Sequence, residues 1–341
     1  MRGDSDKTSS KPSIALLLLA FVSWNATYIF IVTFNLCLLF GSSFCNISSN
    51  IDTRTLFALL YAGIVVSLSS SGWKSHLNDG GPWRRFSESY YLGGIIMRKY
   101  LKMTFYKLPD DLVEAEKKLD AQFVLAGFPH GCGAEFRVLM DGIIQEVLPN
   151  IVKKNNLRVL AASVLFQIPL VRDMALWTGC IDANRKTASK ALDRGRSLLV
   201  LPGGEAEQIL TIYGRERVYL KSRKGFVKLA MRKGVPVVPF YVFGSSDLFY
   251  TSNFLLGPRK WIQKRFGICI PFCFGLLGSL CPLPKTITFV FGSPLKFSMK
   301  GSDPTDEEVN IAHENFCKEL KHLFDTHKDS VGYGDRQLEI L

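Results

Sequence analysis

Two short stretches of this 341-residue chain carry residue types suited to acid–base chemistry on a bound substrate. The first, Phe128-Pro129-His130-Gly131, closes an apolar run at 123–128. Such a run bounded by a turn signal predicts a buried strand, so His130 falls at a strand's carboxyl end, where α/β sheets place ligands. Imidazole suits proton removal near neutral pH, and Gly131 allows close approach of substrate or backbone. Glu135 follows five positions later, a spacing at which a carboxylate about one helical turn on orients and charge-stabilises the ring. The plain alternative is a structural histidine, because motifs this short recur by accident. The other histidines compete poorly: His313, His322 and His327 lie in or just after a charged C-terminal segment, His76 sits beside a membrane exit, and all four read as solvated or interfacial.

The second stretch, Leu201-Pro202-Gly203-Gly204-Glu205-Ala206-Glu207, follows the apolar run at 197–201. Gly203 and Gly204 free backbone N–H groups to face an oxyanion or a phosphate, and Glu207 is placed to orient a histidine or an acceptor hydroxyl. An ordinary strand-to-helix turn has the same spacing. Downstream, Ser222-Arg223-Lys224-Gly225-Phe226 sets adjacent cations where charge-assisted bonds to phosphate are strong; a solvated basic helix start is the alternative. The chain has no GxSxG elbow, no GxxxxGK[ST] loop and no HExxH helix, which disfavours a serine lipase.

The elements that must position these groups alternate. Strands are predicted at 123–128, 159–165, 197–201, 235–242 and 287–291, as short apolar runs of the kind buried in parallel sheets. Helices are predicted at 183–193, stopping near Gly195, at 224–233, ending at Gly234, and near the C-terminus, where Asp303 and Pro304 supply N-cap and first-turn signals. Strands alternating with helices imply an α/β sheet domain. The apolar segment 266–283 is interrupted by Pro271, Gly275, Gly278 and Pro282, so an unbroken span is disfavoured. It reads equally as a buried loop or as an interfacial segment flanked by Arg259, Lys260, Lys264 and Arg265.

A net charge of +12 suits a lipid surface, a CoA phosphate or nucleic acid. No RNA or DNA motif is present, and the N-terminus argues for lipid. Mean hydropathy is positive, +0.13, with most of the excess before residue 73. Residues 14–40 contain no charged side chain, and about 20 such residues cross a hydrocarbon core; a signal peptide has a shorter apolar region. A second run at 56–68 completes a hairpin whose flanks carry Arg2, Lys7, Lys11, Lys74, Arg84 and Arg85, against Arg54 between the runs. Both flanks are therefore expected in the cytosol, with the sequon Asn46-Ile47-Ser48 in the lumenal connector. The eight cysteines lack paired spacing and read as reduced structural thiols. The expected organisation is a polar tail at 1–13, a membrane hairpin at 14–72 and a cytosol-facing domain at 73–341.

Together these blocks resemble the type 2 diacylglycerol acyltransferase family, which includes monoacylglycerol and wax-alcohol acyltransferases. The likeness covers roughly residues 90–330: Phe128-Pro129-His130-Gly131 is similar to the family's His-Pro-His-Gly block, Gly203-Gly204-Glu205-Ala206-Glu207 to its Gly-Gly-x-x-Glu block, and 223–230 with 238–244 to its basic block. Phe128 replaces the first histidine, so only His130 serves as base. Glu135 stands where the family has an apolar residue and related glycerolipid acyltransferases have an acid; whether Glu135 or Glu207 partners His130 stays open.

The resemblance implies a glycerolipid-acyltransferase-like mixed sheet flanked by helices and acyl transfer from acyl-CoA, a co-substrate, to diacylglycerol, with no metal or redox cofactor. It also implies substrate contacts by Phe128, Pro129, Gly131, Gly203, Gly204, Arg223 and Lys224. Monoacylglycerol, lysophospholipid or long-chain alcohol are alternative acceptors, and a non-catalytic acyl-CoA-binding scaffold is the alternative of a different class. Residence is expected in the endoplasmic-reticulum membrane among membrane lipids, with lipid droplets suggested by resemblance alone. No nucleic-acid partner is expected, and the oligomeric state, a homo-oligomer included, is left open.

Overall fold

The computed structural model describes residues 12–44, 74–83, 86, 91–118, 120–133, 144–153, 156–168, 170–299 and 303–341. The second apolar run, the sequon and Glu135 lie outside these residues. In chain order the first half runs α1 (Ile14–Phe44), α2 (Tyr91–Tyr100), β1 (Thr104–Phe105), α3 (Asp110–Glu116), β2 (Val124–Phe128), α4 (Ile144–Val147), α5 (Pro149–Lys153), β3 (Leu157–Ala161), α6 (Val171–Trp177), β4 (Cys180–Asp182) and α7 (Arg185–Asp193). The second half runs β5 (Ser197–Val200), α8 (Gly204–Leu210), β6 (Glu216–Val218), α9 (Gly225–Lys233), β7 (Val237–Phe243), β8 (Tyr250–Thr251), α10 (Leu256–Phe266), β9 (Cys273–Phe274), β10 (Thr288–Phe291), α11 (Asp306–His327) and β11 (Leu338–Ile340).

Seven strands form one mixed sheet in the order β1-β10-β7-β2-β5-β3-β4. The strands from β7 to β4 are parallel, and β10 runs antiparallel to β7. β2 and β7 are buried along their whole length, as befits parallel strands covered on both faces. Alternate side chains divide between two apolar layers. Phe123, Leu125, Leu199 and Phe240 join α1 and α2 on one face; Val124, Ala126, Phe128, Leu198 and Tyr241 join α7, α9 and α11 on the other. The mixed sheet flanked by helices matches the expected class.

Element boundaries differ where hydrogen bonding overrides pattern. β3 ends at Ala161, whose carbonyl accepts from Ala183 N at 2.9 Å, and 163–167 turn into a 3₁₀ segment instead of extending the strand. α11 is capped by Thr305, whose Oγ1 accepts from Glu308 N at 3.2 Å while the Glu308 carboxylate accepts from Thr305 N at 2.8 Å, a capping box. The expected cap, Asp303, instead pairs with Arg232. His313 is buried, with Nε2 3.0 Å from Leu220 O, and His76 stacks on Phe166 at 4.9 Å. His313 is thus neither solvated nor interfacial, because it faces an apolar layer, whereas His76 is only partly buried.

α1 contains 22 residues, Ile14–Asn35, long and apolar enough to cross a membrane, roughly 33 Å at the helical rise. One limb of the expected hairpin is thus described. The segment 266–283 is divided: Cys281 is fully buried in the core and Cys273 and Leu276 pack against it, whereas Leu277 is 85% exposed and Phe266 and Phe272 are also exposed, as is the preceding Trp261, with Asn25 of α1 donating to Ser279 Oγ at 3.3 Å. Solvent-facing apolar area of this extent marks a docking surface.

The C-terminal tail is held by a buried polar cluster. Arg336 lies 2.6 Å from Glu216 and 2.8 Å from Asp247; Tyr241 and Ser246 donate to Glu216, and Tyr333 donates to Asp247. Removing the cation while leaving two buried carboxylates costs about 3–5 kcal/mol. Arg336→Met is therefore expected to destabilise the fold by that amount in chemical denaturation, whereas Arg217→Met, which breaks the more exposed Arg217–Glu339 pair, should cost less than about 1 kcal/mol.

Candidate active site

The carboxyl ends of β2 and β5 deliver the two sequence blocks to one place. β2 ends at Phe128; its peptide to Pro129 is cis, and His130 follows, with Gly131 at φ +69°, a conformation that favours glycine. β5 leads through Pro202 and Gly203 into α8, which carries Glu207. The Glu207 carboxylate is 2% exposed. It accepts the backbone N–H of His130, and its other oxygen accepts the backbone N–H of Tyr219 at 2.7 Å. Gly203 packs directly under this carboxylate, and a Cβ there would collide with it. Gln208, one residue on, donates to Cys132 O. Glu207 therefore holds the His130 loop through its backbone and makes no hydrogen bond to the imidazole. The ring's Nδ1 lies 3.3 Å from Gly131 O, which selects the Nδ1-protonated tautomer and leaves Nε2 as the basic nitrogen.

The electrostatics follow from burial. Desolvation holds the His130 imidazole down to about 4, so it is neutral at physiological pH. Desolvation pushes Glu207 up to about 7, against the opposing pull of the His130 and Tyr219 N–H groups and of the Arg223 charge. Arg223 stacks over the Tyr219 ring at 5.1 Å, and its Nη2 is 3.4 Å from Gly203 O. Its Nε is buried with no hydrogen-bond partner among the described residues.

His130 lines a cavity of about 1540 Å³. The cavity reaches both faces of the sheet, because its lining takes Val159 and Leu201 from one face and Val124, Leu198 and Val200 from the other. On the first side its wall is α1, through Trp24 and Ile31; on the second it is α7 and α9, with Arg185, Lys228, Arg232 and Lys233. Gly204 and Arg223 also line it. Of the other anticipated substrate contacts, Phe128 is in the core against Phe316 at 6.1 Å, and Pro129, Gly131 and Gly203 are buried beside the cavity. Lys224 donates to Asn310 at 2.7 Å and is not among the lining residues. The i, i+4 recurrence of Lys224, Lys228 and Arg232 signals the basic face, but no local pattern points to Tyr219 or to α1 as a wall.

The sequence profile described as "Diacylglycerol acyltransferase" matches residues 96–341, a stretch that includes both blocks and their cavity. The chain belongs to the diacylglycerol acyltransferase family. It is 35% identical over 187 residues to diacylglycerol O-acyltransferase 1 of Eremothecium gossypii, a match covering 52% of this chain and 41% of that protein. It is 34% identical over 187 residues to diacylglycerol O-acyltransferase 2 of Mus musculus, covering 51% and 48%. With 2-acylglycerol O-acyltransferase 3 of Homo sapiens the identity is 32% over 237 residues, covering 64% and 68%. The chain thus spans somewhat less than half the length of the first two relatives. α1 lies outside the stretch matched to this diacylglycerol acyltransferase profile.

Glu207→Gln tests the backbone clamp. An amide offers one acceptor oxygen where the carboxyl group, protonated or ionised, offers two, so one buried N–H, of His130 or Tyr219, loses its partner at a cost of about 1–3 kcal/mol. Because the folded-state pKa is raised, the stability that Glu207 contributes is present at low pH and lost as pH rises from 4.5 through about 7. The stability loss in the Gln variant, measured by denaturant titration, is therefore expected to be largest near pH 5 and smaller at pH 8.

Proposed function

We propose that the chain is an acyl-CoA-dependent O-acyltransferase that makes triacylglycerol from diacylglycerol, with His130 as general base. What carries this reading is the position of a neutral imidazole in a cavity walled by an apolar helix on one side and, on the other, by Arg185, Arg223 and the cations Lys228, Arg232 and Lys233, which pair with Asp306, Asp303 and Asp193. His130 Nε2 takes the proton from the acceptor hydroxyl as its oxygen attacks the thioester carbonyl carbon. The resulting tetrahedral oxyanion is stabilised by backbone N–H groups; Gly204 N already donates to Leu201 O, so the donors we assign are Gly131 and Gly203. Collapse expels the CoA sulfur, which leaves as the thiol with the proton from the imidazolium. No covalent acyl-enzyme, metal or redox cofactor takes part. Glu207 is a positioning residue, and Arg223 with the basic face of α9 holds CoA phosphates.

α1 and the exposed apolar surface around Trp261 and Leu277, flanked by Lys260, Lys264 and Arg265, support residence on a membrane with an anionic surface. We assign this to the endoplasmic reticulum with the domain facing the cytosol. A monoacylglycerol acceptor is the second reading, favoured by the longer matched stretch with the 2-acylglycerol acyltransferase.

Expressed in cells lacking their own neutral-lipid acyltransferases and supplied with labelled acyl-CoA, the wild type is expected to form labelled triacylglycerol. His130→Ala at equal expression should lower that rate by about 10² to 10⁴; equal rates would remove His130 as base, and no product from either would remove the acceptor. In detergent-solubilised enzyme, kcat/KM should hold as pH falls through 6.5 and decline only towards about 4, where the buried imidazole protonates.

A further inference from the structure

α1 has two unlike sides. Leu18, Leu19, Val22, Ile29 and Phe30 are exposed hydrocarbon side chains, with Thr33 and the Tyr28 ring also exposed. On the opposite arc Leu16, Leu17, Phe21 and Trp24 pack against the domain core. Further along, at helical spacing, that arc continues through Ser23, Trp24, Thr27, Tyr28 and Ile31, which line the cavity containing His130. A helix whose only task is to sit in lipid gains nothing from hydroxyls and an indole gathered on one arc, since an unpaired polar group in hydrocarbon is costly. Ser23 and Thr27 send their hydroxyl hydrogens to the helix backbone, at 3.3 Å to Ala20 O and 3.0 Å to Ser23 O. Trp24 Nε1 has no such outlet: it is a buried donor without a hydrogen-bond partner among the described residues. An indole N–H can only donate, so its partner is an acceptor.

A second cleft, of about 440 Å³, opens beside the first. Thr27, Ile31 and Met174 line both, and Phe30, Phe86 and Trp177 complete its apolar rim. The two clefts are thus separated only by Thr27, Ile31 and Met174, between α1 and α6, on the side where α1 is membrane-compatible.

We propose that α1 is the acceptor-binding wall: a neutral glycerolipid enters sideways from the bilayer between α1 and α6, and one of its ester carbonyls accepts a hydrogen bond from Trp24 Nε1. This rests on the acyltransferase reading above. The acyl chain of acyl-CoA carries no oxygen beyond its thioester, whereas an esterified glycerol has carbonyls a few bonds from its free hydroxyl. No charged side chain lies on the α1 arc, which suits an uncharged lipid. The glycerol hydroxyl then meets the thioester at His130, with acyl-CoA approaching from the basic side of the sheet.

The test uses a diacylglycerol carrying a diazirine on one chain, in vesicles containing the full-length protein with His130→Ala, so that binding is read without turnover. Photolabelling is expected in α1. Trp24→Phe, which keeps an aromatic ring but loses the N–H together with the five-membered half of the indole, should weaken diacylglycerol competition for the label at least about fivefold, the worth of one neutral hydrogen bond. Thr27→Val, which leaves Trp24 intact, should weaken it less. Acyl-CoA binding, and competition by a long-chain alcohol that has no ester, should be unchanged in both. Labelling confined to the domain overturns the assignment, as does undiminished competition in Trp24→Phe. An equal fall in acyl-CoA binding in both variants also overturns it, since that marks disturbed packing. Labelled α1 in a chain whose wild type transfers no acyl group would sink the enzymatic reading and keep this site; transfer without α1 labelling would do the reverse.

Discussion

A carboxylate taken out of water is costly unless donors replace its hydration, and Glu207 meets that demand with two backbone N–H groups, one from His130 and one from Tyr219. Three segments are tied at this point: the loop leaving β2, the turn from β5 into α8, and the strand-to-helix connection ahead of α9. Gly203 is required where a side chain would occupy the same space as the carboxylate. The placement of His130, the approach of Arg223 through Tyr219 and the shape of the cavity floor all depend on this single buried acid.

The sheet makes the arrangement usable. Parallel strands β2, β5 and β3 end on the same edge, so their following turns converge there. A cavity around that edge reaches both faces, and the faces differ: one is covered by an apolar helix, the other by helices with cationic outer sides. An insoluble lipid and a water-soluble, polyanionic thioester have opposite solvation needs. Under the function proposed above, a cavity that reaches both faces lets each arrive through the surroundings that suit it.

Holding His130 neutral also has a consequence for the base. Burial lowers its affinity for a proton and keeps it deprotonated across the physiological range, the form that the proposed role as base requires.

Much of this was legible in the residues. The apolar runs ending at Phe128 and Val200, the glycines and acids after them and the charge-free stretch from Ile14 all follow from local composition, because strand burial, turn chemistry and membrane solubility are short-range properties. The order of the blocks along the chain gave the family. What the sequence could not decide were relations between distant segments: that Glu207 grips a backbone N–H 77 residues away instead of the ring, that Phe128 and Lys224 turn from the cavity, that Arg336 staples the tail across 120 residues to Glu216, and that one arc of α1 walls the site. Each depends on which surfaces packing brings together, and a local pattern records a side chain's character without recording what it will face.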